Sequence, residues 1–166
     1  MPDHSDSLQA HAAYFYPAMP KHKLPPPDTS SADEIEAAFY EALQTGDIDK
    51  LMACWADEDE IVCVHPGGPR LVGASLIRTS FEAMFANGTI QARPERIHRL
   101  QILGASMHSL VERLDILTPE GPAQAFVVAT NVYHHTPQGW RMVVHHASPG
   151  SAADGQTMAA PSTVLH

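Results

Sequence analysis

Basic residues are scarce in this chain. Lys and Arg total 10 against 19 Asp and Glu, a formal net charge of -9. That balance lacks the positive footprint that neutralises phosphates or anionic lipids, so it argues against nucleic-acid and polybasic membrane partners. Cysteine is almost absent: Cys54 and Cys63 are the 2 present. Neither belongs to a CxxC pair or a zinc-ligand spacing, which leaves two free, buried thiols in a reducing cytoplasm as the simplest expectation. No uninterrupted apolar run approaches the roughly 20 residues of a membrane-spanning helix. The N-terminus also lacks the basic start and apolar core of a signal peptide. The expected location is therefore cytoplasmic. Internal repeats are absent too.

What is present suits one globular domain. The chain has 166 residues, 44% hydrophobic and 17% charged, a length that can bury a sizeable core. Residues 1–30 are polar and Pro-rich and read as a flexible or wrapping arm, in which "AAYFYPAMP" is apolar enough to dock. Residues 150–166, "GSAADGQTMAAPSTVLH", read as a mobile tail. The domain is expected at 31–149. Histidine is abundant at 11 copies, but His4, His11, His22 and His166 fall in the expected tails.

The first helix is signalled by Ser31 three residues before Glu34, a capping-box spacing. Ile35, Ala38, Phe39, Ala42 and Leu43 then recur at helical period, and Gly46 supplies the left-handed stop. Asp47 caps a short second helix with Ile48, Leu51, Met52 and Trp55 on one face. A strand over 61–65, "IVCVH", breaks at "PGGP", too short for a phosphate loop and without its strand-to-helix setting. Gly73 opens a third helix with the stripe Ile77, Phe81, Met84 and Phe85. Alternating patterns over 95–103, 106–117, 123–134 and 140–148 then predict four strands, punctuated by Gly104, "TPEGP" and "TPQG". The order ααβαββββ predicts an α+β fold with a curved antiparallel sheet.

That order, with "TGDIDKLMACWADE", a strand ending before Pro, Gly73 opening a helix, "TNVY" and "GWRMVVHHAS", resembles the nuclear-transport-factor-2-like superfamily over about 33–149. The SnoaL-like and ketosteroid-isomerase-like branch is the most similar. The resemblance implies a cystatin-like roll, cone-shaped, with the sheet wrapped around the N-terminal helices. It also implies a largely apolar pocket for a small hydrophobic or carbonyl-containing ligand, and a homodimer through the back of the sheet. The superfamily carries many functions on one frame.

Three residues are candidates for catalysis. His65, directly before Pro66, falls where ketosteroid isomerases keep their proton-carrying aspartate, and an imidazole titrates near ~6.5. His146 shares a strand face with Trp140, Met142, Val144 and Ser148. Arg141 on the other face calls for water, so the Trp140 face is expected inward. Asn131, in "TNVY", falls roughly where the isomerase places its second acid, and can orient a carbonyl or hold a histidine tautomer. The isomerase tyrosine is matched by Phe39, which cannot donate; Tyr40 is turned about 100° away on the helix.

Trp55, Phe39, Phe81 and Met84 are expected to wall the pocket, with Tyr133, Ser148 and Glu112 as polar lining. Glu112 alternates in phase with His108, Leu110 and Leu114. A carboxylate on an apolar stripe is costly unless paired, so it faces either the pocket, with a raised pKa, or a dimer interface on the back of the sheet. No cofactor and no metal are implied. The leading expectation is a small-molecule pocket, with cofactor-free acid-base isomerisation, cyclisation or dehydration of a carbonyl compound if the chain is an enzyme. The alternative is a non-catalytic ligand-binding or dimeric assembly module. Two remoter readings are a metal site built from His65, His146 and Glu112, and a carbonic-anhydrase-like activity suggested by "HHAS".

Overall fold

Ser31 starts the first helix as its spacing predicts. The computed structural model describes residues 31–156; the expected arm at 1–30 and residues 157–166 lie outside them. Ser31 Oγ accepts from the Glu34 amide at 3.2 Å, and the Glu34 carboxylate accepts from the Ser31 amide at 2.9 Å. This closed capping box opens α1, Ala32–Thr45, which Gly46 ends at φ 68. Ser31→Ala is expected to cost about 1 kcal/mol, read as a lowered urea midpoint with unchanged slope. Asp47 caps α2, Ile48–Ala53, through the Lys50 amide.

The strand before the Pro-Gly-Gly-Pro turn is β1, Val62–Val64. The turn adds a three-residue strand that the sequence pattern is too short to show, β2, Arg70–Val72, paired antiparallel with β1. Gly67 makes this possible by adopting φ 71. The third helix, α3, spans Ala74–Phe85. The remaining strands are β3, Ala92–Ile102; β4, Ala105–Thr118; β5, Gly121–Thr136; and β6, Gly139–Pro149. Together they form one curved six-stranded sheet in the order β2-β1-β6-β5-β4-β3. Only β1 and β6 run parallel, so the sheet is mixed rather than wholly antiparallel.

Two irregularities shape the sheet. The β3–β4 register shifts between Glu95 and His98, where Arg96 takes φ 54. The β5–β6 register shifts between Val132 and Tyr133, opposite Val144 and Met142, leaving Val143 as the extra residue. A bulge of this kind bends its strand and resets which side chains face inward. Met142 and Val143 are both buried. Beyond them, His145 and Ala147 face the core, whereas His146 and Ser148 are exposed. The inward face expected for this strand therefore holds up to Met142 and reverses after it.

The helices cover the inner face of the sheet. Phe39 of α1 is the hub, with ring centroids 5.3 Å from Tyr40, 6.4 Å from Trp55, 6.1 Å from Phe81 and 5.3 Å from His145. After β6, residues 150–156 turn back over the sheet. Gly150 donates to the Phe126 carbonyl at 2.8 Å, and Asp154 binds the Ser151 amide and hydroxyl. Arg96 Nη2 donates to the Gly155 carbonyl at 2.6 Å. An open groove of about 760 Å³ runs along the outer face here, between β3, β4 and residues 153–156. Among the described residues, no helix is long and apolar enough to cross a membrane.

Candidate acid-base site on the concave face

Glu36 and Tyr40 are four residues apart, so one face of α1 presents both to the sheet. Ser106, His108, Leu110 and Glu112 alternate inward along β4, and Asn131 and Tyr133 do the same along β5. His145 joins them from β6. These groups form one buried hydrogen-bonded network.

Asn131 is its centre and is fully buried. Its Nδ2 donates to Tyr40 Oη at 3.2 Å and to Glu36 Oε2 at 3.4 Å, and its Oδ1 lies 2.7 Å from His145 Nδ1. The amide oxygen can only accept, so His145 carries its proton on Nδ1 and leaves the Nε2 lone pair free. That lone pair faces Glu112 Oε1 at 3.9 Å, and Tyr40 Oη donates to the same oxygen at 2.7 Å. On the other side, Glu36 Oε2 accepts from Tyr133 Oη at 2.8 Å and meets His108 Nδ1 at 2.9 Å.

Burial decides the protonation states. Removal from water pushes the Glu112 carboxyl up to about 7; the Glu36 charge adds to this, and the Tyr40 hydrogen bond opposes it. Desolvation lowers His145 to about 3, with the charges of His65 and His146 contributing. Below about pH 7, Glu112 and His145 thus stand as carboxylic acid and neutral imidazole, with Glu112 Oε1 3.9 Å from His145 Nε2. Burial, and then the Glu112 charge, raise the Tyr40 hydroxyl well above its ordinary value, so it remains a donor. Burial pushes Cys63 to about 12 and Cys54 to about 11, which makes both inert thiols.

His65 is half-buried at the edge of this face. Ser80 Oγ gives its proton to the Ile77 carbonyl, so the 2.9 Å contact is donated by His65 Nε2 and Nδ1 is left as the basic nitrogen. Desolvation lowers its pKa, and its ring stands on Phe81 at 4.8 Å. Phe39, Phe81 and Trp55 are buried and packed together, with Met84 half-buried beside them. This cluster and the polar network line the inner face where the resemblance implies a cone. Within it, the indole N–H of Trp55 has no hydrogen-bond partner among the described residues.

Asn131, Tyr133 and Glu112 belong to the network. The competing placement of Glu112 on the back of the sheet is corrected by its 6% exposure and its contact with α1. His146 and Ser148 do not belong, because the extra residue Val143 turns both outward. His146 and Glu112 thus lie on opposite faces, so the two-histidine, one-carboxylate metal set with His65 does not assemble. Asp33, Glu36 and His108 do bring ligand atoms within 4.8 Å of one another. Arg99 holds Asp33 at 2.7 Å, however, and Glu36 Oε2 is occupied by its donors. Sequence reasoning missed Glu36 and Tyr40, and took His146 for the inward histidine where His145 stands. The i, i+4 spacing of Glu36 and Tyr40, continued by Leu43, was the available signal.

A curved sheet closed over N-terminal helices, with polar groups gathered on its inner face, defines an α+β protein of cystatin-like fold. The SnoaL-like domain family matches residues 33–152, and this chain belongs to it. A candidate calcium/calmodulin-dependent protein kinase type II association domain from Thiobacillus denitrificans is 33% identical, with a TM-score of 0.66 over 73% of this chain and 96% of that one. A candidate dehydratase of the NTF2-like family from Streptomyces avermitilis is 31% identical, with a TM-score of 0.63 over 70% and 91%. An uncharacterised protein with a cystatin-like fold from Caulobacter vibrioides, 16% identical, shares the fold at a TM-score of 0.63 over 74% of this chain and 89% of its own. No match was found among curated proteins.

Proposed function

We propose that this chain binds a small carbonyl compound against the concave face and moves a proton on it without a cofactor, as an isomerase, cyclase or dehydratase. The observation that carries this reading is Glu112, a buried acid with a pKa raised to about 7, touched by Tyr40 and facing a neutral imidazole. A group poised near neutral pH is what general acid catalysis needs. Glu112 gives its proton to the developing enolate oxygen, and Tyr40 aligns the carboxyl. A neutral imidazole, His145 inside or His65 at the rim, takes the proton from carbon. Asn131 holds the His145 tautomer. The orphan N–H of Trp55 offers the ligand a further donor, since a buried donor left unpaired is costly. Phe39, Phe81, Met84 and Tyr133 shape the apolar surround, and His65 and Met84 mark the rim where a ligand enters.

Exchange of α-protons of a ketone panel in D2O, followed by NMR, tests this. Glu112→Gln is expected to slow exchange at least 10²-fold; an unchanged rate would remove Glu112 from the mechanism.

The outer face supports a second reading, assembly. Leu100, Met107, Val132, Val144, Val62 and Val72 are successive cross-strand partners, so one apolar row crosses all six strands. Leu100 is 56% exposed. An apolar row of this kind suits a homodimer through the sheet, and the relative of higher identity is a candidate association domain. The double variant Met107→Glu, Val132→Glu is expected to halve the mass found by light scattering. A variant mass equal to the parent's would rule this face out as the interface. Dimerisation without ketone exchange in the parent protein would favour assembly over catalysis.

A further inference from the structure

The proposed proton transfer leaves a second set of inner-face groups unused. Ser106 and His108 are two residues apart on β4 and face the same way. Ser106 Oγ lies 3.0 Å from His108 Nε2, and His108 Nδ1 lies 2.9 Å from Glu36 Oε2. One imidazole nitrogen thus meets a hydroxyl and the other a carboxylate, both within hydrogen-bond reach, which is the arrangement that activates a serine nucleophile. Glu36 is itself held by Tyr133 Oη at 2.8 Å, so the carboxylate that orients the imidazole is fixed.

Access and charge narrow the substrate. Ser106 is two residues from Gly104, in the exposed turn between β3 and β4. Its direct cross-strand partners on the same face are Tyr133 on β5 and Gln101 on β3, and Gln101 is exposed and carries amide donors. The Asp33 carboxylate comes within 4.8 Å of Glu36 and His108, and Arg99, the cross-strand partner of His108, neutralises it at 2.7 Å. The buried Glu36 carboxylate remains, and it disfavours a carboxylate or phosphate substrate. Ser106 is only 3% exposed, so the acyl group must be small.

We propose that Ser106, His108 and Glu36 form a nucleophilic site for a small neutral ester, with the Gln101 amide as oxyanion donor. Ser106 Oγ attacks the carbonyl carbon while its proton passes to His108 Nε2. Glu36 steadies the imidazolium, and Gln101 N–H meets the tetrahedral oxyanion. The bond to the leaving oxygen breaks as His108 returns the proton, releasing an alcohol. Water, deprotonated by His108, then cleaves the seryl ester and releases the acid, restoring all three residues. The site shares Glu36 with the Asn131 network but uses neither Glu112 nor His145.

The full chain treated with a fluorophosphonate probe, which loses fluoride as it phosphonylates serine, gives the test. One adduct is expected, mapped to Ser106 by peptide mass and absent from Ser106→Ala. His108→Gln is expected to slow labelling at least about 10²-fold. Gln101→Ala, at an exposed position that keeps the fold testable should His108→Gln fail to fold, is expected to slow p-nitrophenyl acetate hydrolysis about 10²-fold. No adduct on Ser106, an adduct formed equally fast in folded His108→Gln, or unchanged ester hydrolysis in Gln101→Ala would each overturn the proposal.

Discussion

Glu36→Ala is expected to destabilise the protein by about 3–5 kcal/mol. One carboxylate oxygen meets Tyr133 Oη, His108 Nδ1 and Asn131 Nδ2. All four residues are buried, so water cannot replace the lost acceptor without opening the core. Each stranded polar group costs roughly 1–3 kcal/mol, and the vacated volume adds a cavity penalty. Glu36→Gln is expected to cost less, because it keeps the shape and one acceptor while placing a donor among donors. Urea denaturation at neutral pH reads both effects. A loss below about 1 kcal/mol in Glu36→Ala would show that the network does not hold the helix to the sheet.

The second large effect is in the pH dependence of stability. Glu112 rests at about 7 in the fold against 4.5 in a free chain. Folded protein therefore keeps a proton that unfolded protein loses between those values, and stability falls as pH rises through 4.5–7. The limiting slope is about 1.4 kcal/mol per pH unit, and the whole change roughly 3 kcal/mol. His145 works in the opposite sense. Its folded value is about 3 against 6.5, so unfolded protein takes up a proton first, and stability falls as pH drops from 6.5 towards 3. Between 4.5 and 6.5 the two slopes cancel, and this pair contributes little pH dependence. Each single variant should expose the other's slope. His145→Asn is expected to lose stability with rising pH across 4.5–7. Glu112→Gln is expected to lose it with falling pH below 6.5. Parallel pH profiles for parent and variants would contradict the assignment of both protonation states.

Much of this architecture is local and therefore legible in the sequence. Ser31 with Glu34, Gly46, Asp47, Gly73 and the Thr-Pro-Gln-Gly turn each act through their own neighbours in the chain, and the helical stripes fix which faces pack. The strand β2 escaped because three residues carry too little periodicity. The site was less legible, for three physical reasons. Val143 becomes an extra residue only because β6 pairs with β5, and that one insertion exchanges His145 for His146. Phe39 and Tyr40 are both buried because α1 is enclosed by helices on one side and sheet on the other, so a neighbour about 100° away also points inward. Glu36 looks like a solvated helix carboxylate until His108 and Tyr133 arrive from separate strands. Asn131 and Tyr133, on a regular strand segment, could be placed from alternation alone.

On the concave face, a proton sits on a buried carboxyl beside a neutral imidazole. The most direct measurement is an NMR titration of side-chain carboxyl carbons and imidazole nitrogens, with Glu112→Gln and His145→Asn assigning the signals. A Glu112 midpoint near 7 and a His145 ring still neutral at pH 5 are expected. A Glu112 carboxylate already ionised at pH 5, paired with a protonated His145, would contradict this.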